Sequence, residues 1–217
     1  MNEQTRFNMI EQQIRPWDVL DETVLTLYRK TAREDFVAEP SLRSLAYADV
    51  ALPLGFGQHM LEPKLEARML QALAAQNNER VLHVGCGSGF FAALLAQMAG
   101  EVMTLEIVPE LAENAATRLA PHPNATVLKG DGARGVDKKE YGMFDAVVLT
   151  GGTPVVASEF WNIIKDGGRL LAVTGKAPAM TLTLFNKQSA EILLHRDILE
   201  THLALLDNAP GRSQFSF

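Results

Sequence analysis

Gly85, Gly87 and Gly89 alternate with Cys86 and Ser88 directly after the apolar run Val81-Leu82-His83-Val84, and the Ala/Leu-rich pattern FFAALLAQMA follows. The order implied is strand, tight glycine loop, helix. Gly85 can adopt backbone angles closed to other residues, and Gly87 and Gly89 let a ligand approach the main chain. Free N–H groups and the dipole at the helix N-terminus favour a carboxylate or phosphate there. The spacing is G-x-G-x-G, whereas the dinucleotide fingerprint G-x-G-x-x-G would need glycine where Phe90 stands. The loop therefore favours S-adenosyl-L-methionine over NAD.

Other strand ends should carry the rest of such a site, because ligands of doubly wound sheets sit beyond the C-terminal ends of the strands. Glu106 closes the second strand, EVMTLEIV, near the spacing at which an acid receives two ribose hydroxyls. Asp131, in Gly130-Asp131-Gly132 after the third strand, is placed to accept from an adenine amino group. Thr150, in Thr150-Gly151-Gly152, closes the fourth strand over the reactive end of the cofactor. Cys86 reads as a small loop residue rather than a reactive thiol, and as the single cysteine it excludes an intrachain disulfide. His59 and His83 lack a clear third ligand, so no metal site is expected.

The elements that must position these residues follow from periodicity. Residues 3–14 and 21–33 carry helical spacing on either side of Pro16, with Asp21 as N-cap of the second helix. Residues 36–62 read as irregular, and 63–75 as a helix opened by Pro63, with Glu62 and Glu66 on a solvated face. From Glu79 strands and helices alternate: VLHVG, EVMTLEIV, ATVLKGD, FDAVVLT and GGRLLAVTG are strands, and VVASEFWNIIK is the helix before the last of them. Two more β-like runs, TLTLFN and ILLHRDI, lack a helix between them and predict an antiparallel ending; DNAPGRSQFSF reads as an extended tail. The expected fold is α/β, a Rossmann-like doubly wound, mostly parallel seven-stranded sheet with an antiparallel C-terminal strand and an N-terminal helical cap. The cap and a substrate loop occupy 1–75 and the core 76–217, packed as one compact unit.

The chain has 217 residues, is 47% hydrophobic and carries a formal charge of −6, so a sizeable core is available and non-specific nucleic-acid binding is not expected. Its N-terminus is polar and carries acids, unlike a secretory signal, and no apolar run is long enough for a bilayer span. A cytoplasmic protein is expected, with its oligomeric state left open.

As a whole the chain resembles the protein-L-isoaspartate O-methyltransferase family. Met9, Gln12-Gln13-Ile14 and Arg33-Glu34-Asp35-Phe36-Val37 are similar to that family's helical cap, and Leu52-Pro53-Leu54-Gly55-Phe56-Gly57-Gln58 to its substrate loop. Val81 to Ala96, Gly130-Asp131-Gly132, Phe144-Asp145 and Gly167-Gly168 match its core. The resemblance implies methylation of the free carboxylate of isoaspartyl residues, whose ester closes to a succinimide and reopens partly to aspartate, a protein repair. It places Gln58, His59 and Leu61 on the acceptor side, and His83 beside the cationic amino group of the cofactor. The family pattern after Gln58 is Thr-Ile-Ser, where this chain has His59-Met60-Leu61, and its acid two residues before the first loop glycine is His83 here. Two rival readings remain: a methyltransferase of the same fold with another acceptor, and a catalytically silent cofactor-binding regulator.

Overall fold

The computed structural model describes residues 2–211. Helix α1 (Asn2–Met9) runs on through a wider π turn, Ile10–Ile14, and a 3₁₀ turn at Arg15–Trp17 that holds Pro16. Helix α2 (Glu22–Lys30) starts at Asp21, whose carboxylate accepts from the Thr23 and Val24 N–H groups at 2.7 and 3.2 Å. That is the N-cap read from the sequence. Two 3₁₀ turns, Arg33–Phe36 and Pro40–Leu45, lead to a hairpin of β1 (Leu52–Gly55) and β2 (Gln58–Met60). The stretch expected to be irregular thus contains a small sheet, turned at Phe56-Gly57, both with positive φ. Helix α3 (Pro63–Leu73) follows with Pro63 in its first turn.

The core comprises β3 (Arg80–Val84), α4 (Phe90–Ala96), β4 (Glu101–Glu106), α5 (Pro109–Leu119), β5 (Ala125–Lys129), α6 (Lys138–Tyr141) and β6 (Phe144–Leu149). It ends with α7 (Phe160–Ile163), β7 (Ile164–Lys176), β8 (Ala179–Lys187) and β9 (Leu193–Thr201). The sheet order is β5-β4-β3-β6-β7-β8-β9, with parallel pairing up to β7 and antiparallel pairing of β8 to both neighbours. A mostly parallel seven-stranded doubly wound sheet is what the alternation predicted. The helix expected over 155–165 is shorter: only the four residues of α7 are helical, because the chain from Ile164 is already pairing with β6.

Two features of this topology position the site. Chain order reverses between β3 and β6, so the loops that leave these two adjacent strands diverge and open a crevice. The strands also finish level with one another: Val84 pairs with both Leu105 and Leu149, and Glu106 with Lys129. Cap and core share one hydrophobic cluster, in which Met9, Ile14, Leu25 and Tyr28 join Phe90, Val102 and Val148.

Candidate functional site

The glycine loop leaves β3 with Gly85, Gly87 and Gly89 all at positive φ (94°, 54° and 87°). Residues with a Cβ are strained there. A side chain at Gly85 would also collide with the Thr150 hydroxyl at 2.9 Å. Loop, strand ends and hairpin surround a cavity of about 530 Å³, in the range of small-molecule sites. Gly85, Gly87, Glu106, Asp131 and Thr150 line one side, and Gln58, His59 and Leu61 of the hairpin and its exit line another. Seven of the predicted cofactor and acceptor residues converge with Leu61 on one space, although they come from five different segments of chain.

Glu106 is 5% exposed. Its Oε2 accepts the Gly87 N–H at 2.7 Å and its Oε1 accepts the Val108 N–H at 3.0 Å. Each oxygen keeps a lone pair for a further donor. Asp131 accepts from the Ala133 N–H at 2.9 Å through Oδ1 and from Asn208 Nδ2 at 2.9 Å through Oδ2. Glu62, Glu106, Asp131 and Asp207 are among the residues that line the cavity, and among the described residues no lysine or arginine does. Such a wall suits a ligand carrying positive charge and opposes a pyrophosphate. The residues present therefore fit S-adenosyl-L-methionine, whose sulfonium and amino groups are cationic and whose ribose and adenine offer donors.

His83 is placed differently from the expectation. It is fully buried, does not line the cavity, and lies below the glycine loop with Nε2 2.9 Å from Thr150 Oγ1 and Nδ1 2.9 Å from Thr104 Oγ1. The Thr150 hydroxyl faces the carbonyl oxygens of Gly85 at 2.8 Å and Val84 at 3.1 Å. A carbonyl only accepts, so that hydroxyl spends its one proton on the backbone and must accept from His83. Nε2 of His83 consequently carries the proton, and Nδ1 accepts from Thr104. Burial pushes this imidazole down to about 3, so it stays neutral and does not repel a cation above it. Its link to the cavity is indirect, through Thr150. Gly89 likewise serves geometry rather than contact: it stands at the start of α4, where a side chain would press on Ala115 at 3.3 Å. Cys86 is buried and its thiol pushed up to about 12, in keeping with a small loop residue.

Glu66 also departs from the sequence reading. It is 3% exposed rather than solvated, and it pairs with the equally buried Arg33 while Tyr28 donates to it at 3.3 Å. Arg33 also donates to the Leu61 carbonyl and stacks 5.0 Å from the Phe90 ring centroid. The hairpin exit is thereby tied to the first turn of α4. Helical period alone put Glu66 beside Glu62; only Arg33, from a distant 3₁₀ turn, turns that face inward.

The contribution absent from the sequence reading is the segment Thr201 to Asp207, which lines the same cavity as the glycine loop. The expected extended tail overlaps it only at Asp207, and residues 212–217 of that tail lie outside the described residues. Its apolar run Leu203-Ala204-Leu205-Leu206 is too short to distinguish a wall from a tail.

Known proteins resemble this chain in sequence and in fold. Protein-L-isoaspartate O-methyltransferase 1 of Rhodopseudomonas palustris (strain HaA2) is 41% identical over 172 residues, 78% of this chain and 69% of that one. Protein-L-isoaspartate O-methyltransferase 2 of Anaeromyxobacter sp. (strain Fw109-5) is 36% identical over 212 residues, 97% of this chain and 84% of its relative. A solved protein-L-isoaspartate O-methyltransferase superposes with a TM-score of 0.78 at 23% identity over 94% of this chain, which spans 65% of that one. A Plasmodium falciparum protein of the same family name, solved in complex with S-adenosyl-L-homocysteine, gives a TM-score of 0.78 at 17% identity over 94% and 97% of the two chains. These two structures share the fold. The family model for protein-L-isoaspartate(D-aspartate) O-methyltransferase (PCMT) matches residues 4–208, and the chain belongs to that family.

Proposed function

We propose that this protein methylates the free carboxylate of isoaspartyl residues in damaged proteins, using S-adenosyl-L-methionine. The observation that carries the reading is the acid-lined cavity at the β3/β6 switch point, which holds four carboxylates and no lysine or arginine among the described residues. It lies in a chain that belongs to a family named for this reaction.

In this reading Glu106 receives the ribose hydroxyls and Asp131 the adenine amino group, each with the lone pairs its backbone partners leave open. The Gly85 loop lets the main chain close on the cofactor, and Thr150 fixes the Gly85 carbonyl that faces it. When bound, the cofactor supplies a methyl group already activated by a positively charged sulfur. The acceptor carboxylate is a nucleophile without further help, so the residues' task is alignment and exclusion of water. Gln58, His59 and Leu61 line the cavity, and in this reading the acceptor enters past them. Leu61 has no side-chain hydrogen-bonding group. That supports a second reading, methyl transfer to a different carboxylate acceptor, beside the first.

The deciding experiment is transfer of a labelled methyl group to an isoaspartyl peptide, with the aspartyl peptide as control. Label on the isoaspartyl peptide alone is expected. Cofactor binding without transfer to either peptide would overturn this reading in favour of another acceptor or a catalytically silent cofactor-binding regulator.

A further inference from the structure

Strand β9 is antiparallel to β8 and so runs in the direction of β7. Its end, Thr201, pairs with Met180, which pairs with Gly175 at the C-terminal end of β7. The chain therefore leaves the sheet at the edge that carries the cavity, and it turns back across that edge toward β6. The return is anchored at Gly152, whose N–H donates to the Ala204 carbonyl and whose carbonyl accepts from the Leu206 N–H, both at 2.8 Å. Leu206 lies so close over Gly151 that a Cβ there would stand 2.5 Å from its Cδ2. Beyond it Asn208, at a φ of 61°, donates from Nδ2 to Asp131 Oδ2 at 2.9 Å. The segment thus spans the crevice from the end of β6 to the loop after β5.

Residues 201–207 line the cavity, and His202, Ala204, Leu205, Asp207 and Asn208 of this segment are exposed. A segment with so few backbone hydrogen bonds and so much exposed surface opens at low cost in free energy. Its far end is held by a side chain that acts on the carboxylate assigned above to the adenine amino group.

We propose that residues 202–208 form a strap over the cofactor, that Asn208 latches it to Asp131, and that this latch sets how fast the cofactor leaves. The proposal rests on the cofactor reading above. Asn208 is a positioning residue: it uses one lone pair of Asp131, fixes the carboxylate rotamer, and leaves other lone pairs free for the cofactor. Cofactor and latch then hold the same carboxylate from two sides, so each stabilises the closed strap for the other.

The test is made on the full chain with S-adenosyl-L-homocysteine as ligand. Asn208→Gly removes the amide but keeps the left-handed backbone that alanine would strain. It should raise the dissociation rate about tenfold, the scale of a hydrogen bond to a charged group, with little change in association rate. Hydrogen exchange at 203–207 should speed up in the ligand-free protein. In an Asp131→Ala background the same substitution should change the dissociation rate less than twofold, because the latch has no partner there. An unchanged dissociation rate, or equal effects in both backgrounds, overturns the latch. No binding by the parent protein would overturn the cofactor reading and the kinetic half of the proposal, and the exchange measurement alone would then decide the strap.

Discussion

Glu106 takes the Gly87 N–H at 2.7 Å, so the acid at the end of β4 closes the glycine loop at the end of β3. One carboxylate thereby ties together the two strand ends between which the cofactor is proposed to lie. Its second oxygen, on Val108, opens α5 in the same way.

Glu106→Ala should weaken binding of S-adenosyl-L-homocysteine by about 1–3 kcal/mol, since ribose hydroxyls and two backbone donors lose their acceptor. Isothermal calorimetry measures it. Affinity equal to that of the parent would remove Glu106 from the cofactor site.

His83 gives a stability signature in acid. Its folded value, about 3, lies below the ordinary 6.5, so the unfolded chain takes up a proton that the folded protein refuses. Stability is complete above pH 6.5 and falls as pH drops from there toward 3, by at most about 1.4 kcal/mol per pH unit. Denaturant titrations at a series of pH values should show this slope in the parent and its loss in His83→Gln. Cofactor affinity between pH 6 and 8 should not follow His83, which stays neutral throughout.

Glu66→Ala strands the Arg33 guanidinium, 1% exposed, in the protein interior. The expected loss of stability is about 3–5 kcal/mol by urea unfolding. Replacing Arg33 by Met and Glu66 by Leu together should cost much less than Glu66→Ala, because no uncompensated charge remains. Equal costs would mean that the pair is not coupled.

On the acceptor side, His59→Thr, Met60→Ile and Leu61→Ser together place a hydroxyl where Leu61 lines the cavity. Met60 is buried in the hairpin, and its change to isoleucine keeps volume, so the fold should tolerate the triple variant at under about 1.5 kcal/mol for that site. Isoaspartyl methylation should rise about tenfold in kcat/KM, the scale of one hydrogen bond made in the transition state. Strong transfer by the parent with no gain in the triple variant would show that Leu61 serves the acceptor as it stands.

Local signals were enough where the physics is local. The three glycines state their own backbone angles, Asp21 and Pro63 mark their helices, and alternation of short apolar strands with helices leaves little choice but a parallel sheet. Glu106, Asp131 and Thr150 line one cavity because each ends or closely follows a strand, and strand ends in such sheets gather at one edge. The short α7 was overestimated for the converse reason: helical spacing in 155–165 lost to pairing of Ile164 with Phe144 on β6.

The sequence by itself determined the glycine-loop edge of this protein, because loop, cap and strand-end geometry depend on residues within a few positions of one another. Tertiary structure alone decided what lies around that edge. β3 is buried on both faces, so its pattern does not say on which side His83 points, and only Thr104 and Thr150 on the flanking strands fix it beneath the loop. Glu66 becomes interior only when Arg33 arrives to neutralise it, and Asn208 reaches Asp131 only because β9 ends at the same edge as β7. Each of these pairings joins residues far apart in the chain, and their energy exists only once the sheet has brought them together.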